Sequence, residues 1–252
     1  MVCDSSALMR LLHYYNLEPK DFISLKVWLE SRDPFKVLVA TILSQNSTDK
    51  SAFRAYYSLE LKVGVTPSKI YEASLGLLEE ALRVAGLHRL KSVRLKEISK
   101  IVLDKYGGDL NVVLNYPPER AREELTSMPG VGEKTADVVL LTCRGYPFFP
   151  VDTHIRRISI RLGMVGENPT YTAISKALSS LVIENEYLRL HLVLIQHGRN
   201  ICKAGKPLCD RCPLSNCCDY ARAQVGESKT SSTPRGRRSR SVRQSGEGGI
   251  GL

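Results

Sequence analysis

The chain has 252 residues, 43% of them hydrophobic and 25% charged, which is the make-up of a soluble globular protein with a real core in one large or two small domains. A net charge of +10 and a pI near 9.3 point to a polyanionic partner, nucleic acid first. No apolar run approaches a membrane span and the opening MVCDSSALMR is not a signal peptide, so no membrane partner is expected.

Taken from the N-terminus, apolar residues recur at three- and four-residue spacing in FKVLVATIL, LGLLEEALRVAGL, VRLKEISKIVLDKY, TADVVLLTC and YTAISKALSSLVI. Short breaks such as VGVTPS and YGGD separate them. Strand-like patterns are scarce. VLNYP and YPFFPV are the best candidates, and both abut prolines. The expectation is an all-α protein with short connections.

The segment Leu125–Leu141, LTSMPGVGEKTADVVLL, leaves one short helix, turns through Pro129-Gly130-Val131-Gly132 and enters a second amphipathic helix. Two glycines two apart allow positive φ and a tight turn. They also leave backbone N–H groups uncovered at a helix N-terminus, where phosphate oxygens bind. Such a contact positions DNA without reading its sequence. Lys134 opens the second helix. The positive end of the helix dipole, the positive surroundings and burial all disfavour an ammonium there, and a neutral amine is a nucleophile toward a sugar aldehyde. Eighteen positions later, Asp152 precedes Thr-His-Ile-Arg-Arg and reads as a helix N-cap.

Four cysteines follow in CKAGKPLCDRCPLSNCC: Cys202, Cys209, Cys212 and Cys218, spaced C-x6-C-x2-C-x5-C. Thiolates are soft ligands, and four of them bind zinc or an iron–sulfur cluster. One tight pair flanked by single cysteines suits a 4Fe-4S cubane, with one thiolate per iron, better than the paired C-x2-C of a zinc ribbon. Cys217 is spare and would replace Cys218 only with a changed spacing. Cys3, Cys143 and Cys217 show no pairing pattern, and a reducing cytoplasm fits this usage better than an oxidising compartment. From Val225 the chain turns to Ser, Arg and Gly. Residues 225–252 read as a basic disordered tail able to add phosphate affinity, or else dispensable.

MPGVGEKTADVV, VDTHIRR and HGRNICKAGKPLCDRCPLSNC, in this order, resemble endonuclease III, of the helix-hairpin-helix base-excision DNA glycosylases, over about residues 30–220. The resemblance implies two helical domains flanking a DNA-binding cleft: residues 27–146 with the hairpin, and residues 1–26 with 147–224 carrying one 4Fe-4S cluster. It assigns Lys134 as the nucleophile at C1′ and Asp152 as the catalytic carboxylate that helps deprotonate it, stabilises charge on the sugar and shuttles protons. It implies DNA contacts from Gly130, Val131, Gly132 and Thr135, with His154 as a structural or phosphate-facing residue. Gln45 or Asn46 would fill the stack vacated by the flipped nucleotide, and Leu87 would act as an apolar wedge, with Arg89 and Lys91 on phosphates or in solvent. The cluster would stiffen its loop so that Lys203, Lys206 or Arg211 meets phosphate, with redox sensing left open.

The implied function is base-excision repair: a bifunctional glycosylase and abasic-site lyase for oxidised pyrimidines in duplex DNA, acting through a lysine Schiff base and cleaving 3′ to the site by β-elimination. A nucleoid-associated cytoplasmic monomer is expected. A mismatch-specific glycosylase of the same family is the alternative. A non-catalytic metal-bearing DNA-binding protein is the alternative of another class, and the Lys134/Asp152 pair argues against it.

Overall fold

The structure is a computed structural model and describes residues 3–230. It contains α1 (Ser5–Tyr14), α2 (Ile23–Ser31), α3 (Pro34–Ser44), α4 (Asp49–Lys62), α5 (Pro67–Glu72), α6 (Leu75–Leu82) and α7 (His88–Tyr106). Then follow α8 (Asn111–Leu114), α9 (Pro118–Thr126), α10 (Glu133–Arg144), α11 (Thr153–Arg161), α12 (Tyr171–Ser179), α13 (Tyr187–Asn200) and α14 (Asp219–Thr230). The fold is all-α, with no strand among the described residues. Val113 and Leu114 lie in α8, and 146–151 is irregular backbone.

Polar side chains cap half of the helix starts. Asp33 accepts from the N–H groups of Phe35 and Lys36 ahead of α3, with Pro34 at the first helical position. Thr48, Thr66, Ser74 and Thr170 cap α4, α5, α6 and α12 in the same way.

Two hydrophobic cores organise the chain. The first runs from Ile23 on α2 to Cys143 on α10 and centres on α3, with Val37, Leu38, Val39 and Ala40 fully buried. The second joins α1 and Phe22 to residues from Leu141 to Ala221, around Leu190, Val193 and Leu194 of α13. Helix α10 serves both, since Val139 and Leu140 face the first core and Leu141 the second. The change of core falls at Phe22/Ile23. A boundary at 26/27 would cut through α2, whose Ile23 and Val27 are both buried in the first core.

Two expectations are corrected. Cys217 is not spare, because it forms a disulfide with Cys3 across 214 residues. No local spacing could show this pair, since only the packing of α1 on the cysteine loop brings its halves together. Cys143 is buried and free. Helix α14 continues through Thr230, so the change of composition at Val225 lies inside a helix. The rest of the expected tail, 231–252, lies outside the described residues. Among the described residues no helix is long and apolar enough to cross a membrane.

Candidate active site and nucleic-acid interface

The hairpin joins α9 to α10. Gly130 sits at φ +75, where an L side chain is strained, and a Cβ there would stand 2.6 Å from Cδ of Arg94. The Arg94 side chain therefore lies over the turn. Gly132 is not the second positive-φ position; it is extended (φ −91) and caps α10 without a side chain, leaving the helix N-terminus open. Val131 is buried in the first core and anchors the loop, and its N–H donates to the Met128 carbonyl at 3.1 Å. Thr135 is also buried, with its hydroxyl accepting from Gln45 Nε2 at 3.0 Å. Gln45 Nε2 donates as well to the Gly130 carbonyl at 3.2 Å.

Lys134 is half-buried on the first turn of α10, and Asp152 is the N-cap of α11. The two side chains arrive from different cores and line the same two cavities, of about 380 and 670 Å³. No ion pair closes between them among the described residues. Burial pushes the Lys134 ammonium below its ordinary range, Arg199 adds to this, and Asp152 and Asp49 oppose it. Among the described residues no hydrogen bond holds its Nζ. Asp152 accepts from the Ile155 N–H at 2.8 Å through one oxygen and leaves the other open. A restrained carboxylate thus faces an unpartnered amine across open space.

The smaller cavity adds groups that the sequence did not single out. Arg199 of α13 donates to Asp49 of α4 at 2.7 Å, bridging the two cores, and lies over the Phe22 ring at 5.5 Å. His191 is 4% exposed, and its Nδ1 lies 3.0 Å from the Pro150 carbonyl. That carbonyl only accepts, so Nδ1 carries the proton. Burial lowers the His191 pKa to about 4 and keeps the ring neutral. Tyr171, at the start of α12, lines the larger cavity.

The 44–47 turn forms one rim of the site. Asn46 is exposed at φ +50, in the left-handed region, whereas Gln45 is tied back to the hairpin. Leu87 is 54% exposed at φ +58, ahead of α7. A Cβ on the neighbouring Gly86 would come within 2.6 Å of the Asn46 carbonyl, so glycine lets these two loops touch. Lys91 corrects its expectation. It is 1% exposed, and its Nζ donates to Leu43 O (2.9 Å), Gln45 O (2.6 Å) and Ser47 Oγ (3.0 Å). It therefore reaches neither phosphate nor solvent, because the carbonyls of the turn need a donor that only this lysine supplies. Arg89 is exposed beside Glu79. His154 packs on Gly198 of α13, where a Cβ would approach it to 2.7 Å, and its Nδ1 accepts from Arg157. Its structural role accounts for this position.

Cys202, Cys209, Cys212 and Cys218 line one further, small cavity of about 20 Å³. Burial raises the thiols of Cys209 and Cys218, and that of Cys212 to about 11. These three become thiolates more readily with positive charge set among them. Arg161 of α11 donates to Cys202 Sγ at 3.4 Å, and Arg157 donates to the Cys202 carbonyl at 3.0 Å. The loop is thereby fastened to the helix that Asp152 caps. Lys203, Lys206 and Arg211 are exposed around it.

Residues 39–184 match the model of the HhH-GPD superfamily of base excision DNA repair proteins. Endonuclease III of Sulfolobus acidocaldarius is 42% identical over 84% of this chain and 93% of its own length. Endonuclease III of Thermotoga maritima is 38% identical over 75% of this chain and 84% of its own. The fold superposes on a trapped covalent intermediate of endonuclease III with DNA at a TM-score of 0.71 and 30% identity, covering 88% of this chain and 98% of that one. The chain belongs to the HhH-GPD superfamily of base excision DNA repair proteins. Within it, this is a DNA glycosylase and abasic-site lyase of the endonuclease III kind.

Proposed function

We propose that Lys134 is the nucleophile and Asp152 the catalytic carboxylate of an enzyme that removes oxidised pyrimidines from duplex DNA. One observation carries this reading: a half-buried, unpartnered lysine shares both cavities with a carboxylate fixed by its own helix cap. Lys134 Nζ bonds to C1′ while the glycosidic bond breaks and the base leaves with its electron pair, taking up a proton. The bound nitrogen then gives up one proton, the C1′–O4′ bond breaks as O4′ takes up a proton, and the resulting C1′=N iminium is the Schiff base. Removal of a C2′ proton then expels the 3′ phosphate by β-elimination. Asp152 accepts and returns protons at this centre through its open oxygen. The uncovered α10 N-terminus and the Arg94 guanidinium hold a backbone phosphate, while Gln45 or Asn46, with Leu87, occupies the space a flipped nucleotide leaves.

The same reading gives Cys202, Cys209, Cys212 and Cys218 a 4Fe-4S cluster, which when bound cross-links their loop. The donor set fits: four thiols around one cavity, with Arg161 at hand against negative charge. Among the described residues no three His, Cys, Asp or Glu side chains are grouped so as to hold one metal ion. Cys209→Ser should purify with less iron and a lower folded yield. One zinc and no iron in the unaltered protein would sink the cluster. The two cores are read as two domains, divided on the N-terminal side at Phe22/Ile23 rather than at 26/27, acting on DNA as a monomer. The test of substrate class is a panel of duplexes, each with one lesion, scored separately for base release and strand cleavage. Oxidised pyrimidines should lead both scores, and a preference for undamaged mismatched bases would overturn the assignment.

A further inference from the structure

The peptide bond that leads into Asp152 is held at both polar ends by side chains from opposite sides. The carbonyl of Pro150 accepts from His191 Nδ1 at 3.0 Å, and the N–H of Val151 donates to the Tyr171 hydroxyl at 3.3 Å. His191 lines the smaller cavity and Tyr171 the larger. The Tyr171 hydroxyl in turn donates to Asp137 Oδ2 at 2.7 Å. Asp137 is 1% exposed and takes two N–H groups from Arg122 of α9, at 2.6 and 3.0 Å. Asp137 stands three residues after Lys134 on α10, one helical turn along the same rigid element. A continuous polar chain therefore runs from the helix that carries Lys134 to the peptide that carries Asp152.

We propose that Tyr171 and His191 are positioning residues: they clamp the Pro150–Val151 peptide and so set the location of Asp152 relative to Lys134. The geometry has the features such a clamp needs. A tyrosine hydroxyl has one proton to give and lone pairs to receive, and both are used here, toward Asp137 and from Val151. Burial raises the Tyr171 phenol, which keeps that proton in place. Burial also keeps the His191 ring neutral, and the bond to Pro150 fixes which nitrogen is protonated. Displacing a reacting group by about 1 Å costs on the order of 100-fold in rate, so small losses of anchoring should be visible in the chemistry.

The proposal rests on Lys134 and Asp152 being the reacting pair, and the experiment separates the two claims. Single-turnover base excision is measured against enzyme concentration for the unaltered protein, Tyr171→Phe, His191→Leu and His191→Asn, each well below its own melting midpoint. Phe keeps the ring and removes both hydrogen bonds. Asn places an N–H near the position of Nδ1, and Leu does not. The maximal rate should fall about 10- to 100-fold in Tyr171→Phe and His191→Leu, with half-saturation unchanged to within about twofold. His191→Asn should recover most of the loss. The double variant Tyr171→Phe/His191→Leu should lose less than the product of the single losses, because both act on one peptide. An unchanged rate in Tyr171→Phe, or a His191→Asn as poor as His191→Leu with weakened half-saturation, would overturn the clamp. Cleavage by Lys134→Gln in parallel would instead sink the reacting pair itself.

Discussion

Two lysines of this protein sit in regions that differ in one physical respect. Lys91 and Lys134 are both taken out of water, and burial lowers both from the ordinary lysine range, Lys91 to about 8. Lys91 is 1% exposed, and three oxygens accept from its Nζ. Among the described residues no oxygen accepts from Lys134, and the side chain lines two cavities. A buried ammonium with three acceptors is a structural bolt, because its protons are committed to carbonyls that need them. A buried ammonium with none loses its proton more readily and keeps its lone pair free to attack. Burial alone does not separate the two cases. The acceptors around the nitrogen do.

Substitution should split the pair cleanly. Lys134→Gln should abolish strand cleavage at abasic sites while sparing DNA binding, since the hairpin backbone remains. Cleavage at the unaltered rate would remove Lys134 from the chemistry. Lys91→Met should do the reverse. It leaves the Leu43 and Gln45 carbonyls without a donor, and should lower stability by about 3 kcal/mol in denaturant unfolding while the folded protein still cleaves abasic DNA. A stable Lys91→Met with no cleavage would invert the comparison.

Acid should reveal the buried histidine at the rim of the Lys134 region. The folded-state pKa of His191 is about 4, below the ordinary value of 6.5 for an exposed ring. The unfolded chain therefore binds more protons between these values, and stability that is full above pH 6.5 falls as pH drops toward 4. The expected loss between pH 7 and 4.5 is about 2 kcal/mol, and His191→Asn should flatten that part of the profile. The smallest effect should come from Asp152→Asn, which keeps the cap and removes the charge. Base excision should fall at least about tenfold with the melting temperature little changed. Full activity would reduce Asp152 to a helix cap.

The parts of the site that are local in sequence could be read from it. Gly130, Gly132, Lys134, Asp152 and the four cysteines lie in short motifs, though the roles expected of Lys134 and Asp152 come from the family these motifs resemble and not from spacing. Groups joined over long separations could not. Gln45 reaches Thr135 across 90 positions, Arg199 reaches Asp49 across 150, and Cys3 meets Cys217 across 214. Lys91 misled because a lysine in a polar loop sequence looks solvated, and only the folded 44–47 turn shows its need for a donor. Helix α13 went unmarked for another reason. Tyr187, Leu190, His191, Leu192, Val193, Leu194, Ile195 and His197 are all buried, so it lacks the polar stripe that gives surface helices their period. Val131 and Thr135 were legible as hairpin residues but not as buried ones, because one packs into the core and the other pairs with Gln45.

The most direct measurement is to trap the protein on abasic duplex DNA with borohydride, digest the adduct and locate the modified residue by mass spectrometry. Reduction fixes the Schiff base as a stable amine on whichever nitrogen formed it. The adduct should fall on the peptide that contains Lys134, and none should form on Lys91 even in conditions basic enough to deprotonate it. An adduct on Lys91, on the N-terminal amine or on any other lysine would contradict the claim that an unpartnered nitrogen beside open space is what makes Lys134 the nucleophile.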